Sequence, residues 1–469
     1  MEKHSRKGNN ENEKENEKAL EKVMQKILPD VKPTEEEMAI ATNQANEIVK
    51  RLIKIVPKET EIRVVGSLMR GTNVKGASDI DVFLLFDKKK SKETITKEGL
   101  FYAKQLASGE RDRVEIKYAE HPYARVYIGD LGAEADIVPA YKIENIEEMA
   151  TAVDRSPMHA EFLNKVLSNN QKDDIRLFKY LLMHHNLYGA EVATGGFSGY
   201  LCELLVYHFG SFINTIKALA NLSLPIILIP KERKTSTDPE LIKRFNSKFV
   251  VIDPVDPNRN VAAAVSEEAL AKTVILSRNL LKKPSTKIFY GRGFSHEKAR
   301  EMVKKFIKSS GLDMFIIITK TADKTEDIIW PQLKKVSEQI VAFAKGFGFD
   351  IILQIQIAKE KKGILVFFAP KQEIATRFIK GPSVFIENAA SAFLNAHRHA
   401  FGISVQEDKL YALEKNKFST LKDVLSYVSK GKLKKRHKDI TIEGKLIVNK
   451  LPEDLADDIY AALLDKLTI

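Results

Sequence analysis

The spacing of apolar residues predicts helices followed by a run of strands in the first third of the chain. Apolar residues at helical spacing predict one helix from Ala19 to Leu28, and Thr34 with Glu37 forms a capping box that opens a second helix reaching about Ile55. Short segments of alternating or continuous apolar character, separated by turn residues, predict five strands. These segments are Glu61–Val65, Asp79–Phe86, Arg113–Tyr118, Tyr123–Ile128 and Ala133–Val138.

The pattern changes twice in the rest of the chain. From Ser156 to about Leu222 the apolar spacing is helical, and after Pro284 strands and helices mix again. The helical segments are Met158–Leu167, Asp173–Leu187 and Tyr200–Ala218, and the later elements are strands Phe315–Thr319, Asp350–Ile357 and Gly363–Phe368 with a helix from about Pro331. Because strict alternation is missing, the pattern favours a multidomain α+β fold with a mixed or antiparallel first sheet rather than a doubly wound parallel one.

These changes divide the chain into four predicted regions. Residues 1–18 have no apolar face, so they bury too little surface to offset the entropy of ordering and are predicted to be a disordered extension. A head domain at residues 19–150 is followed by a mostly helical neck domain at 151–280. An α+β body and tail is predicted over residues 281–469.

Composition narrows the class of protein. Apolar residues make up 44% of the chain, yet no apolar run is long enough to cross a bilayer, and the polar N-terminus is not expected to act as a signal peptide. A single cysteine, Cys202, excludes an intrachain disulfide, disfavours a cysteine-based zinc site and fits a reducing cytoplasm. The net charge of +12 suits a phosphate-rich partner, although many basic proteins have only a solvated basic surface.

Acidic positions on two predicted strands indicate metal chemistry. Asp79 and Asp81 alternate with apolar residues, so both carboxylates point to one face, where their repulsion calls for a cation. Mg²⁺ is the natural candidate, because it prefers carboxylate oxygens and shares its other positions with water and phosphate. On the strand Ala133–Val138 the acids are Glu134 and Asp136, and Asp136 is the preferred third ligand because it lies nearer the strand centre. Three carboxylates can hold two ions.

The turn after the first strand indicates phosphate binding. Gly66 lets the backbone approach a phosphate closely, Ser67 adds a hydroxyl donor and Arg70 adds charge-assisted bonds. The segment lacks the Gly-Lys-Ser/Thr ending of a Walker A loop. Alone, either motif is more often a plain turn or an exposed strand face, but the turn, the paired acids and the acidic third strand together favour a site.

This combination resembles the DNA polymerase β-like nucleotidyltransferases, whose signature is a Gly-Ser or Gly-Gly turn followed by paired acids. Further motifs are similar to those of the class I, archaeal-type CCA-adding tRNA nucleotidyltransferases. They are RGT at 70–72, SDIDVFLLF, AEADIVPAYKI, AVDRSPMHAEFL, YGAEVATGGFSGYLCELLV and DPVDPNRNVAAAVS. The similarity is strong from about Glu61 to Ser266, weaker at DIIWPQLKK and thin toward Ile469.

The resemblance implies template-independent addition of C, C and A to the 3′ end of tRNA from CTP and ATP, with release of pyrophosphate. It implies that Asp79, Asp81 and Asp136 are catalytic and bind Mg²⁺, with two ions expected. It further implies that His159, Lys179 and Tyr188 contact the phosphates and sugar of the nucleotide, whereas Arg259 reads the base edge. The full set of implied nucleotide-binding residues is Gly66, Ser67, Arg70, His159, Lys179, Tyr188 and Arg259.

The resemblance also assigns tRNA binding to the C-terminal region. A-form RNA is recognised mostly by shape and backbone, so this region would grip the acceptor stem and elbow in that way. The densest basic run, Lys430–Lys438, is a candidate contact, although a solvated loop explains such a run equally well. The oligomeric state stays open, with a homodimer among the options.

Two other functions stay open on the sequence alone. A poly(A) polymerase-like enzyme, or another template-independent RNA nucleotidyltransferase, shares the catalytic arrangement and would add A without C. A non-catalytic RNA-binding module would keep the fold but lose its acids, and the presence of Asp79, Asp81 and Asp136 counts against it.

Overall fold

The computed structural model describes residues 2–77, 79–118, 122–290, 296–433 and 438–467. The chain divides into two compact units, residues 1–293 and 294–468. The predicted basic run at 430–438 lies partly outside the described residues, which leave out 434–437. No helix in the described ranges is long and apolar enough to span a membrane.

The first helix, α1, spans Glu2–Val31 and differs from the disorder predicted for residues 1–18. Its second half is anchored, because Leu20, Ile27 and Val31 are fully buried in the main apolar core of the first unit. Adding residues to an existing helix is much easier than starting one, so an anchored helix extends into a polar segment that would not form one alone.

A five-stranded sheet with helices forms the head. Its elements are α2 Glu35–Ile55, β1 Glu61–Val65, α3 Gly66–Arg70, β2 Ile80–Phe86, α4 Lys92–Leu106, β3 Arg113–Tyr118, β4 Pro122–Ile128 and β5 Ala133–Tyr141. The strand order is β1-β2-β5-β4-β3, with β2 and β5 parallel and the other pairs antiparallel, so the predicted mixed sheet is confirmed. Helices α2 and α4 cover one face, where Ile48 and Ile95 share a core with Val82 and Ile137.

The predicted capping box at the start of α2 is also confirmed. The Glu37 amide donates to the Thr34 hydroxyl at 3.1 Å, and the Thr34 amide donates to the Glu37 carboxylate at 2.8 Å. Helix α4, in contrast, was not predicted from the apolar pattern. Ser91 caps it by accepting a hydrogen bond from the Thr94 amide.

Helices dominate the rest of the first unit. The elements are α5 Ser156–Val166, α6 Asn169–Met183, α7 Gly199–Phe209, α8 Phe212–Ala220, β6 Ile226–Ile229, β7 Lys234–Ser236, α9 Pro239–Phe245, β8 Phe249–Val251, α10 Glu267–Lys282 and α11 Thr286–Phe289. The single helix predicted over Tyr200–Ala218 is wrong, because Gly210 adopts a left-handed conformation with φ 89° that ends α7, and Ser211 caps α8. The small sheet β7-β6-β8 was not predicted.

The second unit is α+β, as predicted. Its elements are α12 His296–Ser310, β9 Leu312–Thr321, α13 Glu326–Lys345, β10 Leu353–Lys359, β11 Lys362–Pro370, β12 Thr376–Ser383, α14 Glu387–Ala396, β13 Gly402–Gln406, β14 Lys409–Lys415, α15 Leu421–Ser429, β15 Ile440–Val448 and α16 Ala456–Leu467. The strands form two antiparallel sheets, β10-β11-β9-β15 and β12-β14-β13. The helix predicted from Pro331 begins earlier, at Glu326, so that Pro331 lies inside it. Short 3₁₀ helices lie at Ile146–Glu148, Ala152–Arg155, Pro230–Glu232 and Glu453–Leu455.

Candidate active site

The head sheet places four residues side by side on neighbouring strands. In the antiparallel β1–β2 pair Val65 lies opposite Asp81, and in the parallel β2–β5 pair Asp81 lies beside Asp136. Across the antiparallel β4–β5 pair, Arg125 lies opposite Asp136. Neighbouring strands are about 4.8 Å apart and paired residues share a face, so Asp81, Asp136 and Arg125 form one row, which we call the acid row.

Asp79, the first predicted acid, lies next to the acid row, just before the first residue of strand β2. Strand β2 begins at Ile80, one residue later than predicted, and Asp79 is exposed just ahead of it. Burial is the largest cause that raises the pKa of Asp81 to about 7, followed by the charges of Asp136 and Asp79, while Arg70 and Arg125 oppose the shift. The negative charge around Asp81 is therefore only partly offset by the protein's own cations.

Arg125 is a member of the acid row that the sequence pattern missed. Its Nε donates to one oxygen of Asp136 at 2.7 Å and its Nη2 to the other at 2.8 Å. The hydrogen bond to Asp136 is the main cause that raises the pKa of Arg125. Two-point pairing of this kind fixes the orientation of the carboxylate as well as its position. An arginine on a predicted strand was visible in the sequence, but the register that sets it opposite Asp136 was not.

Gly66 lies where β1 ends and α3 begins, directly against the acid row. Its φ is 84°, and a Cβ atom built at this position would lie 2.0 Å from Oδ2 of Asp81. Only glycine therefore fits without displacing the carboxylate. Ser67 and Arg70 follow within the single turn of α3, and both are partly exposed.

A second group of polar side chains connects the head to the helices of the same unit. We call it the Glu203 cluster, and it consists of Arg70, Thr72, Lys179 and Glu203. Lys179 on α6 donates to Glu203 at 3.0 Å, and Nε of Arg70 lies 3.2 and 3.1 Å from the two carboxylate oxygens. The Thr72 hydroxyl donates to the same carboxylate, and the Thr72 carbonyl accepts from Lys179 at 3.3 Å.

Glu203 is the buried centre of this cluster, with 0% of its surface exposed. Burial would raise the pKa of Glu203, but Arg70 and Lys179 outweigh it and lower that pKa to about 2. Glu203 is therefore ionised at neutral pH. The sequence does not single out Glu203, because its only local signal is one acid within the apolar run of α7.

Tyr188 lies beside the Glu203 cluster. A Cβ atom on Gly199, the first residue of α7, would lie 2.8 Å from the Tyr188 hydroxyl and 3.6 Å from Nζ of Lys179. Burial raises the pKa of Tyr188, so its hydroxyl stays protonated at neutral pH. The structure thus brings Arg70, Lys179 and Tyr188 together, as three of the predicted nucleotide contacts.

The two remaining predicted residues meet in a third group, the Asp253 cluster, formed by His159, Tyr200, Asp253 and Arg259. Nε2 of His159 lies 2.8 Å from one oxygen of Asp253, and Nη1 of Arg259 donates to that same oxygen at 3.0 Å. The Tyr200 hydroxyl donates to the other oxygen at 3.0 Å, and its ring stacks on His159 at 4.0 Å.

Asp253 is fully buried and was not predicted as a site residue. Burial would raise the pKa of Asp253, but the hydrogen bond with His159, together with that from Arg259, lowers it to about 2. Burial also lowers the pKa of His159. A neutral imidazole that donates from Nε2 to an ionised carboxylate fits both shifts.

Comparison with known proteins identifies the family. The CCA-adding enzyme of Methanocaldococcus jannaschii is 34% identical over 416 residues, which cover 86% of this chain and 89% of that protein. This chain belongs to the archaeal CCA-adding enzyme family. A second CCA-adding enzyme, from Archaeoglobus fulgidus, is 33% identical and covers 85% of this chain and 87% of its own length. The resemblance expected from the motifs is confirmed.

Three family models match successive parts of this member of the CCA-adding enzyme family. They are a nucleotidyltransferase domain at residues 43–163, the second domain of tRNA nucleotidyltransferase at 173–290 and the C-terminal domain of CCA-adding enzyme at 310–441. The acid row lies in the first match, whereas the Glu203 and Asp253 clusters each combine residues of the first and second matches. Among solved structures, the RNA terminal uridylyl transferase Cid1 gives a TM-score of 0.46 at 14% identity, covering 58% of this chain and 97% of that chain.

Nucleotidyltransferase membership implies a divalent metal ion and nucleotide substrates. Within the described ranges, no three His, Cys, Asp or Glu side chains are grouped so that they could hold a metal ion as they stand, and Asp136 is engaged by Arg125. The donor chemistry of the acid row nevertheless fits a hard cation. Carboxylates are the ligands that Mg²⁺ prefers, and the pKa of Asp81 is raised first by burial and then by the charges of Asp136 and Asp79, which a bound cation would offset.

Proposed function

We propose that this protein adds C, C and A in turn to the 3′ end of tRNA, using CTP and ATP and releasing pyrophosphate, in tRNA maturation and 3′-end repair. The observation that carries the proposal is the acid row, in which Asp81 and Asp136 lie side by side against Gly66. Relatives of this chain are CCA-adding enzymes along nearly nine-tenths of their length, which favours this function over an enzyme that adds only A.

In this proposal Asp79, Asp81 and Asp136 hold two Mg²⁺ ions. Bound Mg²⁺ would make the terminal tRNA hydroxyl more acidic and offset charge on the triphosphate. The chain itself supplies alignment, because Asp81 and Asp136 lie on paired strands and Gly66 leaves room for the Asp81 carboxylate. Arg125 serves as the counterion that keeps Asp136 oriented.

We assign the triphosphate to the backbone at Gly66, to Ser67 and Arg70 on α3, and to Lys179. A lysine offers a compact point charge and an arginine a planar fork, and both suit phosphate oxygens. Tyr188 would contact the sugar, for which its ring face and protonated hydroxyl are suited. The contacts among Arg70, Lys179 and Tyr188 in and beside the Glu203 cluster support placing them on one substrate.

We assign the sugar side and the base edge to the Asp253 cluster. His159 is held by both Asp253 and the stacked ring of Tyr200. Arg259 uses Nη1 for Asp253 and its side chain is 31% exposed, so other guanidinium N–H groups can reach a base. A buried anion thus orients the residue that reads the base.

Asp253→Asn tests this assignment. The change keeps the shape but removes the charge that orients His159 and Arg259, so we expect kcat/KM for CTP and ATP to fall on the order of 10²-fold. Steady-state kinetics with each nucleotide measure the loss, and tRNA affinity should stay unchanged. Asp256→Asn is the matched control, since this buried neighbour pairs with Arg155 instead. Equal losses in the two variants would contradict the assignment.

The second unit is proposed to bind tRNA. It contains the match to the C-terminal domain of CCA-adding enzyme, and the chain carries a net charge of +12. We expect backbone and shape contacts with the acceptor stem and elbow, with the basic run at 430–438 as one candidate. A cytoplasmic location, for which the single buried Cys202 is suited, and a homodimer are further parts of the proposal.

Incorporation into a tRNA transcript that ends before CCA tests the function directly. With CTP alone we expect addition to stop after two residues, and with CTP plus ATP we expect one further A and no more. High-resolution gel analysis of the 3′ end reads both results. Open-ended A addition without C would favour a poly(A) polymerase-like enzyme instead.

A further inference from the structure

Glu203 is a buried charge for which the proposed nucleotide contacts give no role. It lies on α7 with 0% of its surface exposed, between Cys202 and Leu204 of the largest apolar core of the first unit. A charge in such a place is tolerated only when it is paired and hydrogen-bonded. Both charged partners of Glu203, Arg70 and Lys179, are residues that we assign to the triphosphate.

The partners come from different parts of the first unit and converge on one carboxylate. Arg70 reaches it from α3 of the head, whereas Lys179 reaches it from α6 in the helical region. Thr72 closes the network, because its hydroxyl donates to Glu203 and its carbonyl accepts from Lys179. The carboxylate therefore brings two cations from different helices together at one point.

Burial makes this counterion necessary for Lys179. Only 1% of the Lys179 surface is exposed, and a charge buried to this extent is tolerated only when it is paired with an opposite charge and hydrogen-bonded. Two cations against one anion leave a net charge of +1 in the Glu203 cluster. The cluster can therefore stay charged while empty and still attract a triphosphate.

We propose that Glu203 is a positioning residue that holds Arg70 and Lys179 as a preformed cation pair for the triphosphate. The inference rests on the proposed phosphate contacts of those two residues. The phosphates are common to CTP and ATP, so a positioning role on this side predicts equal effects on both nucleotides. Substitution of a residue that reads the base would instead change the ratio of the KM values for CTP and ATP.

Glu203→Gln is the direct test, because it keeps the size of the side chain and removes its charge. We expect KM for CTP and for ATP to rise by the same factor, about 10- to 100-fold, as for loss of hydrogen bonds to a charged group. Binding of inorganic pyrophosphate in the presence of Mg²⁺, measured by calorimetry, should weaken by a similar factor. Affinity for tRNA should not change.

Leu205→Ala is the matched control for general damage to α7. Leu205 is fully buried on the same helix, so its truncation should lower the melting temperature and leave pyrophosphate affinity unchanged. A double-mutant cycle with Lys179→Met separates the roles further. Glu203→Gln should cost less in the Lys179→Met background, because one of the two cations that it positions is already gone.

Unchanged pyrophosphate affinity in Glu203→Gln, or losses that simply add in the cycle, would overturn the inference. If Glu203→Gln does not fold, Glu203→Asp is measured in the same way, since it keeps the charge but shortens its reach, and wild-type affinity there would also overturn it. Pyrophosphate binding needs no tRNA, so the inference can fail while CCA addition stands. Conversely, a wild-type protein that binds pyrophosphate but adds no C or A to tRNA would overturn the function alone.

Discussion

Asp81→Asn should abolish CTP and ATP incorporation while leaving tRNA binding intact. Asp81 is the central carboxylate of the acid row, with Asp136 beside it on β5 and Gly66 against it. Its replacement by an amide removes the charge that would hold the metal, so we expect kcat to fall by a factor on the order of 10⁴ or more. Single-turnover incorporation and a tRNA filter-binding assay measure the two properties separately.

Glu134→Gln is the matched control for this variant. Glu134 lies two residues before Asp136 on β5, is exposed, and loses the same charge in the change. We expect close to wild-type incorporation, because Glu134 is exposed and the β4–β5 register pairs it with Tyr127, outside the acid row. Near wild-type incorporation in Asp81→Asn, or a similar loss in Glu134→Gln, would contradict the assignment of the acid row.

Gly66→Ala is expected to have the second largest effect. The added methyl group would lie 2.0 Å from Oδ2 of Asp81, so the carboxylate or the strand end must move. A displacement near 1 Å can cost about 10²-fold in rate, and α3 carries Ser67 and Arg70 along with it, so we expect a loss of kcat/KM of at least that size. The measurement is steady-state kinetics with CTP.

Gly76→Ala separates the close contact from backbone strain. Gly76 has a similar φ of 75°, but a Cβ atom there meets nothing within 4 Å. In both variants the left-handed conformation should lower the free energy of unfolding by about 1–2 kcal/mol. Only Gly66→Ala should also disturb Asp81. The proposal predicts that Gly76→Ala loses some stability and keeps its activity, and equal inactivation would count against it.

The parts of the site that the sequence predicted are those that depend on short-range periodicity. Alternation along a strand was enough to choose Asp81 and Asp136, and the register then placed them side by side. The ends of helices are harder to predict from the sequence. The apolar spacing continues across Gly210 and hides the break between α7 and α8. The sequence pattern does not predict the helix over residues 2–18, because its support comes from the buried second half of α1.

Residues that act as counterions could not be predicted in this way. Arg125, Glu203 and Asp253 each have an ordinary local context, and their partners are distant in the chain or on another strand. A buried acid within an apolar helix is the one usable signal, since such a charge requires a partner. Such an acid indicates that a cationic partner is present, but it does not identify the residue that provides it.

Helix α7 contributes to both groups of proposed nucleotide contacts. Tyr200 supports Asp253 and His159, and Glu203, three residues later, supports Arg70 and Lys179. Residues at this spacing lie on the same side of a helix, so α7 supports the proposed contacts with both ends of the nucleotide. A tilt of α7 would therefore shift the proposed phosphate contacts and the proposed base contact at the same time. The affinity for a nucleotide and the selectivity between nucleotides would then change together.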